Sequence, residues 1–136
     1  MIIAVILRKS TFKRGEKLKH RKIIGELFKS SGRKHFFPIL VLYNINQDIQ
    51  TAFPAQAAFV VPKKNIKKTV RRNILKRRMK EAYRLYKHKL YSALPNSTKP
   101  LSMIFIYTSE EQQSYQLIEK AIIKVIDQII VEFSRR

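Results

Sequence analysis

The chain has 136 residues, 45% of them hydrophobic and 28% charged, with no cysteine and a formal net charge of +20. That composition describes one folded domain large enough to bury a core. It excludes a disordered tail, a disulfide framework and a thiolate metal site. The charge is unevenly placed: residues 8–34 carry eleven basic and two acidic side chains, residues 63–89 thirteen and one, and the last 47 residues five of each. Two basic segments and a neutral remainder give an oriented field, which suits docking one face onto nucleic acid.

The opening MIIAVIL is apolar, but no basic region precedes it and it is too short to span a bilayer. Residues 1–10 therefore read as an extra strand or a frayed end, and neither a signal peptide nor a membrane association is expected. Ser10 to Gly15 is a basic lead-in, followed by a helix expected over Glu16 to Ser30 with Ile23, Ile24, Leu27 and Phe28 as its buried stripe and Gly32 as its terminator. The cations Lys17, Lys19, Arg21 and Lys22 crowd the first half of that helix, against its dipole, which points to a need outside the helix such as RNA phosphate.

His35 to Ile45 reads as one strand, with Phe37, Ile39, Val41, Tyr43 and Ile45 on one face and Phe36, Leu40 and Leu42 on the other. Pro38 places it at an edge or marks its first residues. After a polar turn at Asn46, Gln47 and Asp48, Thr51 to Val61 returns as a second strand, giving a hairpin.

Lys63 to Lys80 then holds ten Lys or Arg and no acid. From Thr69 the spacing is helical: Leu75, Met79, Ala82, Tyr83, Tyr86, Leu90 and Ala93 fall on a core face, and Asn73, Lys76, Arg77, Lys80, Arg84 and Lys87 on another. A solvated face normally mixes charge signs, and the only acid between Lys63 and Tyr91 is Glu81, so the second face reads as a phosphate-binding stripe. With the preceding Lys63, Lys67, Lys68, Arg71 and Arg72 it forms one candidate RNA-binding surface. Residues 94–100 are a loop. Leu101 to Thr108 is a strand apolar on both faces, as inside a sheet. Ser109 with Gln112 marks the start of a last helix, whose stripe is Ile118, Ile122, Val125, Ile129 and Phe133 and which Arg135 and Arg136 close.

Chemistry by the protein itself finds no support. His20, His35 and His88 stand in three different elements without metal-ligand spacing, and Glu110 and Glu111 are adjacent at a helix start. Gly15, Gly25 and Gly32 form no phosphate loop. The order helix, strand, strand, helix, strand, helix gives a single α+β domain over 1–136, a two-layer sandwich in which the basic helix joins two strands of one sheet. A DNA reader using that helix is disfavoured because no short helix–turn–helix precedes it.

Phe59-Val60-Val61-Pro62-Lys63-Lys64 followed by Val70-Arg71-Arg72-Asn73-Ile74-Leu75-Lys76-Arg77 resembles the strand-then-helix signature of the bacterial ribonuclease P protein subunit, and the other elements fall in that family's order. The resemblance implies a central sheet of about four strands with flanking N- and C-terminal helices and a left-handed βαβ crossover, against the general right-handed rule. It implies a cytoplasmic protein that binds a catalytic RNA subunit and precursor tRNA, needs no protein partner, and promotes endonucleolytic removal of the 5′ leader. Mg²⁺ and the reaction would belong to the RNA, and the protein alone would be inactive. By position, Arg72, Asn73, Lys76 and Arg77 would hold the RNA subunit, and Ile24, Phe28, Tyr43 and Val60, with Lys64 at the edge, would line the leader cleft. Ile74 stands where the family commonly has a second arginine, a loss for which Arg71 or Arg78 could compensate, and Val60 and Pro62 stand where serines are frequent. A structural RNA-binding protein of ribosomal type, without a role in cleavage, would share the charge and the sandwich.

Overall fold

The computed structural model describes residues 11–45, 51–94 and 99–134. The expectations for residues 1–10, for the turn at 46–48 and for the closing Arg135 and Arg136 lie outside them. Helix α1 spans Arg21–Lys29, and strands β1 Gly32–Phe36, β2 Ile39–Ile45 and β3 Ala55–Val60 follow. The long basic helix α2 spans Thr69–Ala93, strand β4 Leu101–Tyr107 and helix α3 Tyr115–Ser134. Among the described residues no helix is long and apolar enough to cross a membrane.

The four strands form one mixed sheet in the order β1-β2-β4-β3. β4 pairs antiparallel with β2 and parallel with β3, so α2 is the connection between two adjacent parallel strands. The α+β class, the four-stranded sheet and the flanking helices are as expected from the sequence. β4 is central because Met103, Phe105 and Tyr107 on one face and Ile104 on the other are all buried, which only an interior position allows. For the same reason the expected hairpin does not form. β4 inserts between β2 and β3, and the chain after β2 crosses to the far side of it.

The expected strand from His35 is also divided. Phe37 and Pro38 make a turn between β1 and β2, which pair antiparallel from Gly32↔Tyr43 to Phe36↔Ile39. Gly32 is therefore the first residue of a strand and not a helix terminator. Its requirement is steric, since a Cβ there would lie 2.5 Å from the Tyr43 ring.

Helices α2 and α3 cover one face of the sheet. Leu75, Met79, Tyr83 and Leu90 meet Ile118, Ile122, Val125 and Ile129 over Val41, Met103 and Phe105. Phe59 stacks on Phe105 with centroids 5.3 Å apart, and Tyr83 packs edge-on to Phe59 at 5.6 Å. The opposite face carries a smaller cluster in which α1 supplies Ile23 and Leu27 against Leu42 and Ile104. The two-layer sandwich thus has a partial third layer.

Two helix starts differ from the sequence reading. α1 begins at Arg21 because Glu16 closes a 3-10 turn, accepting from the Lys13 N–H at 2.6 Å, after which Leu18 N–H bonds the Ala57 carbonyl at 3.0 Å. Lys17 and Lys19 consequently lie outside the helix. α3 begins at Tyr115, where Ser114 caps the Leu117 N–H. Ser109 and the residues after it are instead held in a loop by Tyr107, whose hydroxyl donates to the Glu111 carbonyl and accepts from Gln113 N–H.

Candidate nucleic-acid interface

The loop from Val61 to Lys68 is anchored from below and charged above. Val61 and Ile66 are buried, the Asn65 and Ile66 N–H groups both bond the Pro62 carbonyl at 3.1 Å, and the Asn65 side chain donates to the Tyr107 carbonyl at 3.1 Å. That anchoring leaves Lys63, Lys64, Lys67 and Lys68 exposed, with Arg71 exposed one turn into α2. A groove of about 480 Å³ opens among Lys64, Lys67, Lys68 and Arg71, with Glu110 on its far wall. No acid stands in the first turn of α2, and no side chain caps it. Free N–H groups, the positive end of the dipole and several cations converge there, an arrangement that an anion stabilises.

Arg72 plays a different part from the one its position in the motif implies. Its guanidinium donates to the Ile66 carbonyl at 2.9 Å, the Lys67 carbonyl at 2.8 Å and the Thr69 hydroxyl at 3.1 Å, so it ties the lysine loop to the start of α2. We expect Arg72→Ala to lower stability by about 1 kcal/mol and to weaken RNA binding by loosening Lys67 and Lys68. The slope of log affinity against log salt should stay unchanged; a slope reduced by about one would instead mark Arg72 as a direct phosphate contact.

Along α2, Asn73, Arg77 and Lys80 are exposed on one face and Lys76 is half-buried beside them. Arg84 is engaged by Glu81 through two bonds of 3.0 and 2.6 Å, and the bond from Arg84 holds the Glu81 carboxyl below its usual range. Lys87 leaves the stripe altogether. It is only 2% exposed, pairs with the equally buried Glu16 and donates to the Thr11 carbonyl at 2.5 Å. Tyr91 donates to the same Glu16 carboxylate at 2.9 Å, and burial raises both the Tyr91 and Tyr83 phenols well above their ordinary range. Of the two arginines that could replace the missing one at Ile74, Arg78 is bound to the Gln113 carbonyl at 2.6 Å, whereas Arg71 is exposed.

The α1 side of the sheet is only partly covered. Strand register aligns Leu42 with Ile104 and Ala58 in one row, and Leu40 with Ile106 and Val60 in the next. α1 buries Leu42 and Ile104, while Leu40, Ile106, Ala58, Val60 and Ile24 remain half-buried around them. Phe28 is 51% exposed. Val60 and Ile24 thus belong to a partly open apolar surface, and Lys64 lies four residues beyond Val60 on the exposed loop. Tyr43 does not join them. It is 6% exposed on the opposite face, and its hydroxyl donates to Glu132 of α3 at 2.5 Å. The strand's own alternation, which sets Leu40 and Leu42 against Tyr43, carried the signal that the position-by-position resemblance missed. It points instead to Leu40 and, across the register, to Ile106. Among the described residues no group of three or more His, Asp or Glu converges as metal ligands.

Three strands without Lys or Arg, a cationic loop and helix start that follow β3, and a partly open apolar row ending at Val60 before that loop define an α+β protein that presents a polyanion-binding face. Comparison with known proteins makes the assignment specific. A family model described as Ribonuclease P matches residues 12–130. The chain is 28% identical over 116 residues to a ribonuclease P protein component from Porphyromonas gingivalis, covering 85% of this chain and 84% of the relative. It is 35% identical over 89 residues to one from Chlorobaculum tepidum, covering 64% and 58%. Its fold is similar to the ribonuclease P proteins of Staphylococcus aureus, with a TM-score of 0.64, 16% identity and coverage of 84% and 94%, and of Thermotoga maritima, with 0.63, 21% identity and 83% and 96%. The chain belongs to the ribonuclease P protein family.

Proposed function

We propose that this chain is the protein subunit of a ribonucleoprotein endonuclease that removes the 5′ leader from precursor tRNA, acting in the cytoplasm with a catalytic RNA subunit as its partner. The observation that carries the reading is the set of exposed side chains on the loop and α2, Lys63, Lys64, Lys67, Lys68, Arg71, Asn73, Arg77 and Lys80, with the half-open apolar row of the α1 face ending at Val60 just before that loop. Phosphates of the RNA subunit meet the loop and the first turns of α2, where cations, unpaired N–H groups and the helix dipole act together. Single-stranded leader lies in the cleft bordered by Ile24, Leu40, Val60 and Ile106, with Lys64 on its backbone. In place of stacking on an aromatic ring, Ile24 offers apolar contact, and the exposed Phe28 is the one aromatic of α1 near enough in sequence to add a base platform.

Leader contacts made by the protein exist in the substrate and not in mature tRNA, so they raise the affinity for one over the other. Mg²⁺, bound by the RNA subunit, supplies charge stabilisation and an activated water. This chain neutralises phosphates and orients the leader.

Reconstitution tests the reading. RNA subunit and precursor tRNA are combined at low Mg²⁺ with and without the protein, and cleavage should appear only with it. Protein that cuts by itself, or that leaves the Mg²⁺ requirement where it was, overturns the proposal. Binding to RNA without any effect on cleavage would mark a structural RNA-binding protein.

A further inference from the structure

We infer that the leader does not end in the cleft but crosses the whole sheet to the β1 edge, where Arg33 and His35 hold its distal phosphates. This rests on the cleft proposed above and extends it to residues outside the motif.

The register carries the argument. His35 pairs with Leu40, Leu40 with Ile106, and Ile106 with Val60, so these four residues form one row across all four strands on the α1 face. Arg33 stands at the end of the adjoining row, opposite Leu42. α1 closes that adjoining row at Leu42 and Ile104, yet leaves Leu40, Ile106 and Val60 half-open, and both Arg33 and His35 are exposed. Neighbouring strands lie about 4.8 Å apart, so the open row runs for about 14 Å from β3 to β1.

Its chemistry changes along that length in a way that suits a single strand. Lys63 and Lys64 stand just beyond Val60, the middle is apolar, and Arg33 with His35 stands at the far end. Lys63 and Lys64 at one end and Arg33 at the other match phosphates, the His35 ring can donate a hydrogen bond to one, and an apolar floor between them matches bases turned out of a stack. Among the described residues β1 has a neighbour on one side only, so no further described strand of the sheet closes the path there.

The path has a direction. The RNA subunit is held at the loop and the start of α2, which adjoin the β3 end of the row, so the part of the leader nearest the cleavage site enters beside Lys64. Nucleotides further from that site reach β1. Contacts at Arg33 and His35 therefore form only when the leader is long enough to cross the sheet.

The test is the affinity of holoenzyme for precursor tRNAs whose leaders lengthen one nucleotide at a time, comparing the unaltered protein with the double variant Arg33→Ala, His35→Ala and, separately, with Lys64→Ala. The unaltered protein should gain affinity in a second step as the leader passes a threshold length, and the double variant should lose roughly fivefold of the long-to-short ratio, the scale of a surface charge contact of about 1 kcal/mol. Lys64→Ala should weaken binding at both lengths. An unchanged ratio in the double variant, with Lys64→Ala still harmful, overturns the β1 path and leaves the cleft standing. Equal losses at every length overturn it too, because the two residues would then be acting elsewhere. If neither variant matters at any length, the cleft reading itself fails, and the extension with it.

Discussion

Lys87→Ala is expected to remove about 3–5 kcal/mol of stability, because it strands the Glu16 carboxylate in the interior without its cation. Glu16 is 1% exposed and, among the described residues, keeps only Tyr91 and the Lys13 N–H as donors once the ammonium is gone. The loss would be seen in urea unfolding as a lower midpoint at nearly constant slope. It should exceed that of Arg84→Ala, whose partner Glu81 lies near the surface where an ion pair contributes about 1 kcal/mol or less. Replacing both members of the buried pair, with Lys87→Met and Glu16→Gln, should recover most of the stability, since no unpaired charge then remains. A loss of under about 1 kcal/mol in the single variant would mean that water reaches Glu16 and that the pair does not fasten the N-terminal segment to α2.

Simultaneous replacement of Lys67, Lys68 and Arg71 by alanine should have the largest effect on binding. These three cations surround the groove at the uncapped start of α2, and each neutralised phosphate contributes close to one unit to the salt dependence. The triple variant should lose about two to three units of the slope of log affinity against log salt, while Arg77→Ala alone should lose about one. Filter binding or anisotropy across a salt series measures both. A triple variant that binds as tightly and with the same slope as the parent would move the RNA interface off this end of α2. Circular dichroism should be unaffected, because all three side chains are exposed.

Several features could be read directly from the residues. The heptad-like spacing of Leu75, Met79, Tyr83 and Leu90 located the buried face of α2, since a helix repeats every 3.6 residues whatever surrounds it. Two apolar faces on Leu101 to Tyr107 placed β4 inside the sheet. Other features depended on partners far along the chain. The helix expected from Glu16 starts at Arg21 because Glu16 is drawn to a lysine 71 positions later, and no local propensity reports such a pair. Lys87 was assigned to the phosphate stripe by its helical angle alone, yet the N-terminal segment covers that angle. Tyr43 was assigned to the leader cleft by position within a motif, although it sits one step of the pleat from Leu42 and so faces the other layer.

By itself, then, the sequence determined the polyanion-binding class, the position of the charge and the helix faces, because charge and periodicity are properties of neighbouring residues. Only the tertiary structure decided the strand order, the separate edge strand β1, and which cations stay exposed. A side chain is exposed or buried according to what packs over it, and for Lys87, Arg72, Arg78 and Tyr43 the deciding partner comes from another element or from the loop before the helix.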